Sequence, residues 1–124
     1  MKRIVIPGNP IPQPRHRISG NRRYIPKKHL IHAYKQFIQL QAKKSIKEPM
    51  GSPIILNVTF YIRQPKTCNR TYPTVRPDLD NYMKGVMDAL NGILYYDDSQ
   101  IIRIIATKQY SNEPRTVINI HEIT

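Results

Sequence analysis

The sequence predicts a single α/β (α+β) domain, residues 1–124, in which a mixed β-sheet carries two packed helices in the order β-α-β-α-β-β. The chain is 124 residues long, close to the commonest size of one domain and too short for two catalytic ones. Two stretches place apolar residues at helical spacing, and strand-like runs precede, separate and follow them. No internal repeat, low-complexity tract or linker divides the chain, so these elements must share one core.

Residues 3–6 read as a short strand, followed by a loop in which Pro7, Gly8, Pro10, Pro12 and Pro14 exclude a helix or a central strand. That loop runs on through Arg15, His16, Arg17, Arg22 and Arg23. From residue 27 to about 47, Leu30, Ile31, Tyr34, Phe37, Ile38, Ala42 and Ile46 recur as one stripe of an amphipathic helix, which Pro49, Gly51 and Pro53 stop. Ile54, Leu56, Val58, Phe60 and Ile62 then alternate with Ile55, Asn57, Thr59, Tyr61 and Arg63, the clearest strand pattern in the chain. A polar loop follows to Arg76, and Pro77 biases that residue toward an extended backbone. Asp78 can cap a second helix with the stripe Leu79, Met83, Val86, Met87 and Leu90, ended by Asn91-Gly92. Residues 101–108 and 116–123 complete the set as strands, joined by Ser111-Asn112-Glu113-Pro114.

Charge says more about function than about fold. Twenty Lys and Arg against eight Asp and Glu leave a net charge of +12, which calls for an acidic partner, nucleic acid first. A membrane surface is the competitor, but no run of 18 apolar residues exists and the N-terminus lacks the apolar stretch of a signal peptide. A soluble cytoplasmic protein associated with the nucleoid is expected. Cys68 stands alone, which excludes an internal disulfide or a thiolate metal site, and it is expected to be inert.

The acids are not spread evenly. Residues 1–47 hold twelve Lys or Arg and no acid, whereas five of the eight acids, Asp78, Asp80, Asp88, Asp97 and Asp98, fall between positions 78 and 98. Asp78 and Asp80 lie at a helix start with Lys84 one turn on. Asp97 and Asp98 precede the next strand, where the returning chain could approach that helix terminus. Carboxylates gathered in this way repel each other and repel DNA, so they make sense around a hard divalent cation taking oxygen ligands from Asp and from phosphate. Magnesium fits, with manganese able to substitute, and the chemistry implied is phosphodiester hydrolysis with Lys84 as a fixed positive charge. Each feature also has an ordinary reading: Asp78 as a helix cap, Asp80-Lys84-Asp88 as a solvated ion-pair ladder, Asp97-Asp98 as a turn. Asp88 is assigned to structure.

The segments Arg76-Pro77-Asp78-Leu79-Asp80-Asn81-Tyr82-Met83-Lys84, Asp88-Ala89-Leu90-Asn91 and Asp97-Asp98-Ser99-Gln100-Ile101 resemble the signature of the RusA family of Holliday-junction resolvases. Chain length, the basic N-terminal half and the Pro-rich loop after the first strand extend the resemblance. It implies that Asp78, Asp80 and Asp98 are the metal-binding catalytic set and that Lys84 is required. It further implies a RusA-like fold and a homodimer that binds four-way junctions and cuts two strands symmetrically, with no small-molecule cofactor. One departure is that members often carry a basic run directly before the first aspartate, while here Arg76 is followed by Pro77.

Arg15, Arg17, Arg22, Arg23, Arg70 and Arg76 are candidate phosphate contacts, since proline- and glycine-rich loops cannot bury them. Tyr24, Tyr72, Tyr95 and Tyr96 could stack on unpaired bases, although packing in a core or interface is the commoner use of tyrosine. His29 and His32 lack the acidic or thiolate partners that a zinc site needs. A nuclease of the restriction-enzyme type would place a lysine where Gln100 stands. A basic DNA-binding protein without catalysis would keep the basic surface while the aspartates only cap a helix, and a metal-dependent cleavage assay separates it from an enzyme. A basic ribonucleoprotein component would not need carboxylates gathered in one segment.

Overall fold

The period-two alternation of residues 54–62 builds the central strand of a four-stranded mixed sheet. A computed structural model describes residues 1–14, 17–26 and 29–124, with the side chain of Arg17 outside that description. In chain order the elements are β1 (Lys2–Pro7), β2 (Arg17–Ser19), β3 (Arg22–Tyr24), α1 (Leu30–Ser45), β4 (Ile54–Arg63), α2 (Leu79–Leu90), β5 (Ile101–Ser111) and β6 (Arg115–Glu122), with a 3-10 turn (Asp98–Gln100) leading into β5. The sheet order is β1-β6-β4-β5, antiparallel except for the parallel pair β4–β5. That pair requires a crossover, and α2 supplies it. A short turn joins β5 to β6, yet the two do not pair, because β4 lies between them.

Both helices cover the same face. Ile54, Leu56, Val58 and Phe60 of β4 are fully buried, joined by Ile118 and Ile120 of β6, Ile31, Ile38 and Ala42 of α1, and Val86, Ala89 and Leu90 of α2. Each large side chain so buried contributes roughly 1.5–3 kcal/mol. Phe60 and Tyr82 stack with ring centroids 5.1 Å apart, and the Tyr34 hydroxyl lies 2.6 Å from Thr116 Oγ1, tying α1 to β6. Gly85 lets the helices approach closely: a Cβ there would sit 3.3 Å from Ile31 Cδ1. Lys35 and Asp88, 3.6 Å apart, form the one ion pair among the described residues and also join the helices.

Two sequence expectations change. Part of the loop expected after the first strand is instead the hairpin β2–β3, turning on Gly20-Asn21 with a positive φ of 63° at Gly20 only, the pattern of a type II′ turn. Its Arg22 and Arg23 remain exposed as expected. Helix α1 is also shorter than residues 27–47. It starts at Leu30, where His29 Nδ1 accepts from the Ile31 amide at 3.0 Å, and ends at Ser45. His32 Nε2 lies 3.0 Å from the Pro26 carbonyl oxygen, so both histidines hold backbone at the helix entrance. No described helix is long and apolar enough to cross a membrane.

Candidate active site

Helix α2 and the start of β5 wall a groove of about 710 Å³, with Asp80, Lys84, Asp88 and Asp98 among Leu79, Met83, Met87, Ile104 and Ala106. The stripe that turns Tyr82, Val86, Ala89 and Leu90 into the core leaves Asp80, Lys84 and Asp88 exposed along one side of the helix. Asp78 occupies the N-cap position of α2, but its side chain makes no capping hydrogen bond, so its exposed carboxylate is not used to hold the helix. The ion-pair ladder is likewise absent among the described residues: Asp88 pairs with Lys35 on α1, not with Lys84.

The loop that delivers Asp98 is built from hydrogen bonds. Asp97 caps the 3-10 turn, and its carboxyl is held below the usual range by the Ser99 hydroxyl and amide. Gln100 completes the capping box: Oε1 accepts from the Tyr96 and Asp97 amides at 2.7 and 3.0 Å, while Nε2 donates to the Met50 and Ser52 carbonyls at 2.8 and 3.0 Å. The buried Tyr95 hydroxyl lies 2.9 Å from Asp98 Oδ1 and 3.1 Å from the Met87 carbonyl oxygen. Burial, then the bond to Asp98, pushes its pKa well above that of free tyrosine.

That tyrosine also fixes which end of α2 Asp98 meets. The sequence suggested that the Asp97-Asp98 loop could approach the helix start; the structure holds it at the Met87 end instead. The reason is directional, since a crossover helix runs opposite to the strands it joins and the chain re-enters the sheet at the helix C-terminus. At 1.5 Å rise per residue, Asp80 and Asp88 differ in level by ~12 Å, with Lys84 midway. The acids therefore form two groups, Asp78 with Asp80 and Asp88 with Asp98. Among the described residues no three His, Cys, Asp or Glu side chains converge tightly enough to hold an ion alone. Each group still offers the hard oxygen donors that magnesium takes, and that ion characteristically completes its shell with water and phosphate oxygens.

Lys108 of β5 was not singled out by the sequence. Its Nζ donates to the Val75 and Pro77 carbonyls at 2.8 and 2.9 Å, anchoring the chain immediately before Asp78. No local pattern announces it, because its partners are backbone atoms 33 and 31 residues earlier. Gln13 is a second such residue: it is buried, its amide donates to the Asn81 carbonyl at 3.0 Å, and its Oε1 has no partner. Through it the Pro-rich stretch around residue 13 is tied to the first turn of α2.

Among the candidate phosphate contacts, Arg22, Arg23, Arg70 and Arg76 are exposed, while Arg15 and the side chain of Arg17 lie outside the described residues. Of the tyrosines, Tyr95 is core, but Tyr24, Tyr72 and Tyr96 are 39%, 68% and 62% exposed and pack in no core of this chain. Cys68 is a free thiol; desolvation raises its pKa, but the Arg70 amide, the Tyr110 hydroxyl and the Arg70 charge together outweigh it and lower the pKa overall.

The groove thus sets Asp80, Asp88 and Asp98 together with Lys84 on a chain of net charge +12, groups suited to a hard cation and a phosphate. Residues 7–121 match the family model described as endodeoxyribonuclease RusA. The chain is 36% identical to the uncharacterized protein YqaN of Bacillus subtilis (strain 168), over 73% of each chain. It is 42% identical to the crossover junction endodeoxyribonuclease rusA of Lactococcus phage r1t, over 57% of this chain and 56% of that protein. The chain belongs to the RusA family of endodeoxyribonucleases.

Proposed function

We propose that this protein is a magnesium-dependent homodimeric endodeoxyribonuclease that resolves four-way DNA junctions by paired, symmetrical strand cuts, serving recombination and repair. The observation that carries the reading is the lining of one groove by Asp80, Lys84 and Asp98 in a chain of net charge +12, and the name of the phage relative supports it. Asp78 with Asp80, and Asp98 toward the other end of the helix, would offer the carboxylate oxygens for bound metal, with phosphate oxygens of the substrate completing the shells. When bound, magnesium supplies Lewis-acid polarisation of the scissile phosphate and an acidified water as nucleophile. Lys84 offers a fixed positive charge to the phosphate oxygens as water bonds to phosphorus and the bond to the 3′ oxygen breaks. Arg22 and Arg23 lie on the β2–β3 hairpin, and Arg70 and Arg76 precede Asp78 in sequence; these neutralise backbone phosphates.

The two-fold symmetry of a junction suits a two-fold enzyme. Strand β5 is a sheet edge, and its Ile102 and Ile104, 63% and 46% exposed, offer apolar surface beside the groove. Pairing across that edge would bring the grooves and the carboxylates of two chains together.

The test is incubation of the protein with a synthetic four-way junction and a matched linear duplex, with and without magnesium. Nicks at matching positions on opposing junction strands, in magnesium only, are expected. Equal cutting of plain duplex would leave a general nuclease, and binding without cutting would leave a DNA-binding protein.

A further inference from the structure

The sheet has a second face, which neither helix covers. Strand register places its side chains in rows. Arg3, Asn119, Asn57 and Ile105 form one row; His121, Ile55 and Arg103 form the next toward the start of β4. In the other direction follow Val5, Val117, Thr59 and Thr107, then Pro7, Arg115, Tyr61 and Gln109. Three arginines and a histidine therefore share this face with amides and hydroxyls, and no row contains a carboxylate. None of the three arginines forms an ion pair among the described residues. Arg115 is held in place by stacking on Tyr61, 3.9 Å from the ring centroid, and by donating to the Glu113 carbonyl at 2.8 Å. Arg3, Asn57, Asn119 and His121 line a groove of about 440 Å³ on this face. With strands ~4.8 Å apart and alternate residues ~6.7 Å apart along each strand, the face measures roughly 14 by 20 Å.

A sheet face left open to water is ordinarily polar with both signs of charge. This one sets Val5, Ile55, Ile105 and Val117 among its polar groups, and every charged side chain in its rows is a cation, joined by one histidine, which makes it complementary to a polyanion. We propose that this face is a second DNA-binding surface, taking the phosphate backbone of a duplex arm remote from the cut. It rests on the reading of the protein as a junction nuclease. Arg103 lies on β5, five residues after Asp98, and so stands on the open face at the end of the sheet nearest the acidic groove. Arg103, His121 and Arg3 then follow one another obliquely across the strands, and Arg115 stands beyond them. Contacts of this kind set orientation and carry no sequence preference.

The proposal is tested with an R3Q/R103Q double variant of the full chain, a control K43Q/K44Q variant that removes the same charge from α1, and four-way junctions with arms of about 8 or 25 base pairs. Binding is measured without divalent metal across a salt series, and circular dichroism melting checks the fold. Loss of two phosphate contacts should lower the magnitude of the slope of log K against log salt by about 2 on the long-armed junction, so the variant's deficit relative to the parent should be some tenfold larger at 50 mM salt than at 200 mM. Short arms and the control variant should show little change. Parent-like binding and slope for R3Q/R103Q on long arms would refute the second surface while leaving junction binding by the parent intact. An equal loss in the control would reduce the effect to net charge and also overturn it. A variant that binds DNA normally but sediments as a smaller species would make the face a contact between two copies of the chain, against the proposal. If the parent itself binds no junction, the junction reading fails and takes this surface with it.

Discussion

The hydroxyl of Tyr95 lies 2.9 Å from Oδ1 of Asp98, and the same hydroxyl reaches the Met87 carbonyl at 3.1 Å, so one proton serves a carboxylate and a helix end. Tyr95→Phe keeps the packing and removes that donor. Stability should fall by about 1 kcal/mol in denaturant unfolding, the scale of one lost buried hydrogen bond. Junction cleavage should slow while junction affinity holds. Unchanged cleavage would mean that Asp98 is positioned by the 3-10 turn alone.

Asp78→Asn, Asp80→Asn and Asp98→Asn each remove one negative charge from a surface that must approach phosphate. They should bind junctions at least as tightly as the parent and fail to cut them, as gel-shift and cleavage assays would report. Lys84→Ala should keep its fold and lose most of its rate. Normal cutting by any one variant removes that residue from the site.

Lys108→Met and Gln100→Ala test positioning rather than chemistry. Lys108 holds the backbone before Asp78, and Gln100 clamps the turn that carries Asp98 through four hydrogen bonds to backbone groups. Each variant should lose about 1–2 kcal/mol of stability. Each should also need more magnesium for half-maximal cleavage, with junction affinity measured without metal unchanged. A stability loss with an unaltered magnesium requirement would leave both residues purely structural.

The fold should weaken in strong alkali. Burial raises the Tyr34 hydroxyl to about 12, against the lesser opposing effect of its bond to Thr116, and burial also raises Tyr95. Both hold their protons more tightly folded than unfolded, so their contribution is complete below pH ~10, where unfolded tyrosine ionises, and is lost as pH rises through the folded value. Thermal melts between pH 8 and 11.5 should show the decline beginning near 10, and Tyr34→Phe should flatten it. A flat profile in the parent would contradict these environments.

Sedimentation at micromolar concentration should show a dimer, and Ile104→Lys on the exposed β5 edge should shift it toward monomer and depress cleavage. A parent monomer that makes paired cuts would remove the two-fold argument.

Much of the fold was legible because its signals are periodic. Ile54 to Ile62 and Leu79 to Leu90 declare strand and helix through the residues they must bury, and β4 and α2 appear where those periods place them. The β2–β3 hairpin escaped because each strand has three residues, too few for a period, and its one local signal was Gly20-Asn21. Of the site, the acids were legible from their concentration on a basic chain. Their division into two groups was not, since it depends on the direction in which α2 crosses between β4 and β5. Gln100 could have been found, because Asp97 and Gln100 stand at capping-box spacing. Lys108 could not, since nothing in its neighbours points to Val75 and Pro77.

The parallel pairing of β4 with β5 is the join that brings Asp98 beside α2, and it links Arg63 to Ser111 across the whole intervening crossover. Non-local strand pairs of this kind form late, because the entropy of closing the loop precedes the reward. On the ribosome residues 1–47 emerge with twelve cations and no acid, before β5 exists. A half-made chain can therefore cling to nucleic acid through residues 1–47, but it lacks β5, the strand that brings Asp98 beside α2.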